Sequence, residues 1–217
     1  MESPVRPRDA LQNDPAFRLI ETLGWHPGQG FRHLAQHLAR IGRSAAAFGI
    51  PFDPEQAQAV LAEAAGNAPL RCRLTLDAAG QMELTTAPLG NSPSEWRLGI
   101  AGTRLEADDI WLQHKTTRRA LYDTARAGMP EGVDELLFLN RRGEVCEGTI
   151  TNLFVTRADG RMVTPPLSCG LLPGILRQVM LESGQCLEAV LRLEDLRDAN
   201  AIHMGNSLRG LIPARLV

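Results

Sequence analysis

The sequence predicts a two-domain α+β protein, in which a small N-terminal α/β domain precedes a strand-rich C-terminal domain. Three observations support this prediction. Apolar residues recur at helical spacing in two segments of the first half, and a hairpin with alternating polar and apolar residues follows them. The second half contains a series of short apolar runs separated by turn residues. Because the composition changes over residues 103–110, we predict an N-terminal domain of residues 16–105 and a C-terminal domain of residues 106–217.

The first half begins with residues 1–15, which are rich in charge and proline and predict a loose leader. Two helices follow, and capping residues mark their ends. The first helix ends at Gly49, and the second begins at Asp53, an N-cap residue with Pro54 at the first helical position. The predicted elements are, in order, a strand at 17–23, a helix at 31–48, a helix from 53 to about 65, a hairpin at 71–76 and 82–84, and a strand at 96–100.

The second half reads as strands interrupted by short helices. A break near Gly148 divides one polar strand segment into two. The predicted elements are, in order, a helix at 118–127, strands at 135–140, 145–151 and 153–156, a loop at 165–174, a helix at 175–183, a helix at 194–199, a strand at 201–204, and a turn with a final strand at 206–212.

Composition excludes several classes of function. The 217 residues have a formal net charge of −2, and the 23 basic residues are scattered along the chain. Nucleic-acid binding usually needs a concentrated basic face, so we expect no nucleic-acid partner. No apolar run is long enough to cross a bilayer, and the N-terminal residues lack the apolar stretch of a secretory signal. We therefore expect a cytoplasmic protein with no membrane partner.

Cysteine and histidine spacing argues against a disulfide framework or a metal site. The four cysteines stand at wide and irregular spacing, at positions 72, 146, 169 and 186. That pattern predicts free thiols. His33 and His37 are four residues apart on a predicted helix, which is the spacing of a metal-binding pair, but no carboxylate or third histidine accompanies them. We predict no metal site.

Lys115 is the only lysine among the 23 basic residues, and it stands beside two threonines just before a predicted helix. A lysine becomes a nucleophile or a Schiff-base partner when burial lowers its pKa. A solvated surface lysine is the alternative, and it is the usual state of this residue type. The residues around Lys115 do not by themselves decide between the two.

Three further segments are candidates for chemistry. Glu147 lies in a segment rich in β-branched residues, so it either needs a buried partner or faces water at a sheet edge. Residues 170–177 form a glycine-bounded loop that opens a helix, which suits phosphate binding or is a plain turn. Residues 205–210 supply a hydroxyl and an arginine to an anion, or form an ordinary turn between strands.

The order of these segments resembles the fold-type IV pyridoxal-phosphate family, which includes branched-chain and D-amino acid aminotransferases and 4-amino-4-deoxychorismate lyase. The resemblance runs from about residue 17 to residue 217. The segment 37–41 is similar to the family's His-Leu-x-Arg-Leu helix, and Glu147 stands five residues before Asn152, as in the family's carboxylate strand. The Leu-Pro-Gly-Ile-x-Arg stretch at 172–177 is similar to the family's phosphate loop.

The resemblance implies that pyridoxal 5'-phosphate is the cofactor and that Lys115 anchors it covalently and is the catalytic lysine. It implies that Glu147 binds the pyridine nitrogen and that Leu172 packs on the ring. The residues implied for the cofactor phosphate are Arg40, the backbone N–H groups of Ile175 and Leu176, and the Ser207 hydroxyl. Family members act on small-molecule amines and are usually homodimers, so we expect both here.

The cofactor site serves both transamination and elimination, so the reaction must be chosen on other grounds. The segments 206–214 and 17–52 resemble aminodeoxychorismate lyases, and they favour a lyase that releases pyruvate from 4-amino-4-deoxychorismate to give 4-aminobenzoate. Arg97 and Arg209 are our candidates for the two substrate carboxylates. A branched-chain or D-amino acid aminotransferase is the alternative. A catalytically idle family member that acts as a binding subunit is the third hypothesis.

Overall fold

The computed structural model describes residues 14–90 and 94–217, which fold into two units. The first unit runs to Gly90 and takes in a second segment, His114–Arg118. The second unit consists of residues 94–113 and Arg119–Val217. The chain therefore leaves the first unit, returns to it for five residues around Lys115, and leaves it again.

The first unit is an antiparallel four-stranded sheet of order β2-β1-β3-β4 with two helices. Its elements are β1 (Arg18–His26), β2 (Gly30–Phe31), α1 (Leu34–Phe48), α2 (Pro54–Leu61), β3 (Leu70–Asp77) and β4 (Met82–Pro88). Apolar side chains of β1, β3 and α2 form its core, including Leu23, Leu74 and Leu61. Since β3 occupies one edge of β1, the segment around Thr116 pairs with the other edge, opposite Leu19.

Helix α1 buries one face, which is made by residues three and four positions apart. Those buried residues are His37, Arg40, Ile41, Ser44, Ala45 and Phe48. The helix ends because Gly49 adopts a left-handed conformation, with φ 68°, and its N–H bonds to Ala46 O and Ala45 O. Helix α2 starts as predicted, since the Asp53 side chain accepts the N–H of Glu55.

The second unit contains an eight-stranded sheet of order β10-β9-β8-β11-β12-β5-β6-β7. Its elements are β5 (Trp96–Leu105), α3 (Ala120–Ala127), β6 (Glu135–Asn140), β7 (Val145–Gly148), β8 (Asn152–Thr156), β9 (Met162–Thr164), α4 (Ile175–Glu182), β10 (Leu187–Glu188), α5 (Leu193–Arg197), β11 (Ala201–Asn206) and β12 (Gly210–Leu216), with 3₁₀ turns at Ile110–Gln113 and Leu167–Cys169. Because Glu147 of β7 also pairs with Asn152 of β8, six of these strands close into a ring.

These elements confirm the two-domain α+β fold, but the structure corrects two details of the prediction. Strand β5 runs to Leu105 and pairs in parallel with both β12 and β6, so it belongs to the second unit. The boundary that we predicted between residues 105 and 106 therefore differs from the division between the units. Residues 114–118, which we assigned to the C-terminal domain, belong to the first unit because they pair with β1. The predicted leader, residues 1–15, lies almost wholly outside the described residues.

The four cysteines are free and buried. No helix among residues 14–90 and 94–217 is long and apolar enough to span a membrane. In the same part of the chain, no three His, Cys, Asp or Glu side chains group in a way that could hold a metal ion. His37 instead places its Nδ1 on the carboxylate of Glu21.

Candidate functional site

The backbone of Lys115 is fixed on both sides by strand β1. The N–H of Ile20 donates to Lys115 O at 2.9 Å, and the N–H of Thr117 donates to Arg18 O at 2.9 Å. The Lys115 side chain itself is half-buried. These two hydrogen bonds hold the main chain at Lys115 against β1.

His114, the residue before Lys115, is fixed by helix α1. Its Nδ1 lies 2.9 Å from the Ser44 hydroxyl, and its ring packs edge-on against Phe48 with centroids 4.6 Å apart. Burial lowers the pKa of His114, which favours the neutral ring that this apolar contact requires. The segment that carries Lys115 is thus fastened to both the sheet and a helix of the first unit.

Arg40 lies buried on α1, 5% exposed, and is paired with Glu21 of β1. Its Nε donates to Glu21 Oε1 at 2.8 Å and its Nη2 to Oε2 at 2.6 Å. His37 Nδ1 lies 2.6 Å from the same Oε2. Burial by itself raises the pKa of Glu21, but Arg40 and His37 together outweigh it and lower that pKa from 4.5 to about 2. The carboxylate is therefore ionised and fixes the direction of the Arg40 guanidinium.

The backbone of Lys115 and the side chain of Arg40 are thus each bonded to strand β1. Lys115 pairs with Ile20, and Arg40 is bonded to the next residue, Glu21. The sequence analysis missed Glu21 and the role of His37. The signal was an acidic residue in the middle of an apolar strand. Such a residue is buried with the strand, and a buried charge needs a charged or hydrogen-bonding partner.

Glu147 lies on β7 with 5% of its surface exposed, and two groups donate hydrogen bonds to its carboxylate. The Tyr122 hydroxyl donates to Oε1 at 2.6 Å, and the N–H of Leu172 donates to Oε2 at 3.1 Å. Donors of this kind stabilise the ionised form of a buried carboxylate. Of the two open interpretations of Glu147, the structure shows the buried, partnered one.

The loop that follows β9 is tied to the same strand pair. Asn152, the partner of Glu147 across β7 and β8, donates its Nδ2 to Leu172 O at 3.0 Å. A Cβ at Gly174 would lie 1.8 Å from Asn152 Oδ1, so only glycine fits there. Glu147 and Leu172, which the sequence places 25 residues apart, are brought into direct contact by these bonds.

Helix α4 begins immediately after this loop, with Ile175 and Leu176 in its first turn. Gly174 is the N-cap and supplies no side-chain hydrogen bond. The first N–H groups of a helix have no acceptor within the helix, and the dipole there favours an anion. The position of Ile175 and Leu176 therefore suits the predicted contact to phosphate through the backbone.

Ser207 lies in the turn between β11 and β12. A Cβ at Gly205 would lie 2.8 Å from Leu176 Cδ2, so the end of β11 lies against the first turn of α4. The turn is closed by Asn206, whose Oδ1 accepts the N–H groups of Leu208 and Arg209 at 3.1 and 3.0 Å. Ser207 and Arg209 are both half-buried in it.

Arg97 lies apart from this group of contacts. It sits on β5 between buried Trp96 and Leu98, so its side chain projects from the opposite face of the strand. Its Nε bonds to Asp134 Oδ2 at 3.1 Å, and its side chain is 45% exposed. Within residues 94–217, Arg97 is bonded to Asp134 on this face, so its predicted role at a substrate carboxylate gains no support from its placement.

Comparison with known proteins identifies relatives of the whole described fold. A family model described as amino-transferase class IV matches residues 18–217. A Schizosaccharomyces pombe protein provisionally named aminodeoxychorismate lyase is 30% identical over 196 residues, which make up 85% of this chain and 84% of that protein. The crystal structure of a Mesorhizobium loti protein provisionally named amino-acid aminotransferase superposes with a TM-score of 0.89 and 45% identity, covering 93% of this chain and 100% of the other.

A third relative matches only in part. A Thermotoga maritima protein provisionally named branched-chain-amino-acid aminotransferase is 29% identical over 86 residues, or 37% of this chain. The match spans 31% of that relative's own length.

Proposed function

Since this chain belongs to the class IV aminotransferase family of pyridoxal-phosphate-dependent enzymes, we propose that it is a 4-amino-4-deoxychorismate lyase. The cofactor assignment is supported by the family match over residues 18–217 and by Lys115, which is the only lysine in the chain. Support for the lyase comes from the Schizosaccharomyces pombe relative, whose match covers 84% of that protein, and from segments 17–52 and 206–214, which resemble aminodeoxychorismate lyases.

The side chains present fit pyridoxal phosphate by their chemistry. The first unit supplies a half-buried amine at Lys115 and a guanidinium at Arg40. The second unit supplies a buried carboxylate at Glu147, an uncapped helix start at Ile175, and a hydroxyl at Ser207. An aldehyde needs the amine, a pyridine nitrogen needs the carboxylate, and a phosphate needs the guanidinium, the N–H groups and the hydroxyl.

When bound, pyridoxal phosphate supplies an aldehyde for the substrate amine and a ring that accepts an electron pair. Lys115 would hold the cofactor, and its amine would remove the proton from the amine-bearing carbon of the substrate. Glu147 would hold a proton at the ring nitrogen, and Arg40, Ser207 and the first turn of α4 would hold the phosphate. Departure of enolpyruvate, which becomes pyruvate, leaves the aromatic 4-aminobenzoate.

An amino-acid aminotransferase is the second candidate function. The 45% identity to the Mesorhizobium loti protein over its full length favours it. The same residues serve both reactions, because each begins with removal of a proton by a freed lysine amine. The two candidates therefore differ in the substrate that is bound.

The cofactor assignment is tested by reduction of the purified protein with borohydride in the presence of pyridoxal phosphate. Since Lys115 is the only lysine in the chain, we expect the pyridoxyl group on the peptide that contains it. Lys115→Ala and Lys115→Arg should both abolish the visible absorbance of the lysine-bound cofactor while the circular dichroism spectrum is unchanged. Persistence of that absorbance in either variant would refute the assignment.

The reaction is tested with two substrate mixtures given to the same preparation. We expect 4-amino-4-deoxychorismate to yield 4-aminobenzoate and pyruvate in equal amounts, and an amino acid with 2-oxoglutarate to yield no glutamate. Glutamate formation without 4-aminobenzoate would replace the lyase by the aminotransferase. Lys115→Ala is the control in both mixtures.

A further inference from the structure

One face of helix α3 forms hydrogen bonds with Glu147 of β7 and with Thr149 in the turn that follows it. Arg119, Tyr122 and Arg126 are spaced three and four residues apart, which places them on the same side of the helix. The Tyr122 hydroxyl bonds to Glu147, Arg119 Nη2 donates to Thr149 O at 3.1 Å, and Arg126 Nη1 donates to Thr149 Oγ1 at 2.7 Å. Of these three side chains, Tyr122 is the one whose hydrogen bond ends on the carboxylate.

A second carboxylate holds the same turn from the adjacent strand. Glu135 of β6 is fully buried, and its Oε1 accepts the N–H and the hydroxyl of Thr149 at 3.1 and 2.5 Å. Its Oε2 accepts the Thr151 hydroxyl at 3.0 Å, and Arg126 lies 3.5 Å from Oε1. These bonds hold the turn after Glu147, and the Tyr122 hydroxyl and the Leu172 N–H donate directly to the Glu147 carboxylate.

Tyr122 itself sits in a fixed, half-apolar environment. Its ring packs edge-on against Phe138 with centroids 5.1 Å apart, and Arg119 lies 5.9 Å from the ring centre. Three ionisable groups act on the hydroxyl: Glu147 and Cys146 of β7, and Arg119 at the start of α3. Burial, followed by the negative charge of Glu147, raises the pKa of Tyr122. The hydroxyl therefore stays a proton donor at neutral pH.

We propose that Tyr122 is a positioning residue for the cofactor, whose hydroxyl keeps the Glu147 carboxylate ionised and aimed at the pyridine nitrogen. The proposal rests on the proposed function, because it assigns the purpose of a contact to the same cofactor. A buried carboxylate that loses a charge-assisted donor takes up a proton more readily. Without Tyr122, Glu147 would then cease to be an anion at a higher pH, and the ring nitrogen would lose its partner there.

The coupling between the two side chains can be measured without cofactor or substrate. Tyr122 is the only tyrosine in the chain, so the ultraviolet absorbance of tyrosinate reports on it alone. Free tyrosine ionises near pH 10. We expect little tyrosinate in the folded wild-type protein at that pH, and ionisation at lower pH in Glu147→Gln than in the wild type. Glu131→Gln, an exposed site, is the control. An unchanged midpoint in Glu147→Gln would overturn the proposal.

The consequence for the cofactor is measured with Tyr122→Phe, which keeps the ring against Phe138 and removes only the hydroxyl. We expect the acid limb of the rate-versus-pH profile to move up by about one pH unit, equal to tenfold in the ionisation constant. Thr124→Ala removes an exposed hydroxyl from the same helix and should not move it. An unmoved limb in Tyr122→Phe would also overturn the proposal. If the wild type binds no pyridoxal phosphate, the proposed function fails, whereas the tyrosine titration still reports the coupling.

Discussion

Replacement of Glu21 by glutamine tests how much the buried charge cluster of the first unit contributes to stability. The change removes the negative charge that Arg40 and His37 share and keeps the shape of the side chain. A pKa that falls from 4.5 to about 2 corresponds to about 3 kcal/mol in favour of the folded protein when the carboxyl is ionised. Removal of one partner from a buried ion pair costs about 3–5 kcal/mol in other proteins. Both routes predict a loss of about 3 kcal/mol at pH 7.

Urea denaturation followed by circular dichroism measures this loss, with Glu83→Gln as the matched control. Glu83 is an exposed glutamate of β4 in the same sheet, and its replacement should change the free energy of unfolding by less than about 0.5 kcal/mol. Addition of Arg40→Met to Glu21→Gln should recover part of the loss, because the uncompensated buried cation is then removed.

The pH dependence supplies an independent check on the sign. Because the folded protein lowers the pKa of Glu21, the stabilisation is fully present above pH 4.5 and is lost as the pH falls towards about 2. The difference between wild type and Glu21→Gln should therefore shrink over that interval. A loss below about 1 kcal/mol at pH 7, or a difference that stays constant down to pH 2, would refute the reasoning.

Three further predictions concern backbone and thiols. Gly174→Ala places a Cβ 1.8 Å from Asn152 Oδ1, so the loop must shift. We expect this variant to bind pyridoxal phosphate more weakly in a spectroscopic titration. Gly128→Ala is the control and should bind it normally, because the nearest contact of its Cβ is at an ordinary 3.5 Å. Gly49→Ala forces a left-handed alanine at the end of α1 and should lower the free energy of unfolding by about 1–2 kcal/mol in urea; no change would show that the helix end relaxes. The four cysteines are buried, and burial raises the pKa of Cys186 to about 11, so a thiol reagent should modify none of them in the native protein and all four after denaturation.

Local patterns in the sequence were enough for most elements and for several site residues. The spacing of apolar residues predicted α1 and its end at Gly49, and the capping pair Asp53-Pro54 predicted the start of α2, because both signals act within one helical turn. The family resemblance implied that Glu147 and Leu172 contact the same cofactor ring. The structure shows that the N–H of Leu172 donates a hydrogen bond to the Glu147 carboxylate. The roles of both residues toward a cofactor stay predictions.

The sequence by itself determined the helices, the hairpin, the family and the presence of a single lysine, Lys115. Only the tertiary structure decided which unit holds Lys115, since its pairing with Ile20 joins residues 95 positions apart. It also decided the partners of the charged groups, because Glu21 with Arg40 and Tyr122 with Glu147 meet through packing between a helix and a strand. No local spacing encodes such a contact. The sequence therefore identifies the lysine, and the tertiary structure identifies the residues around it.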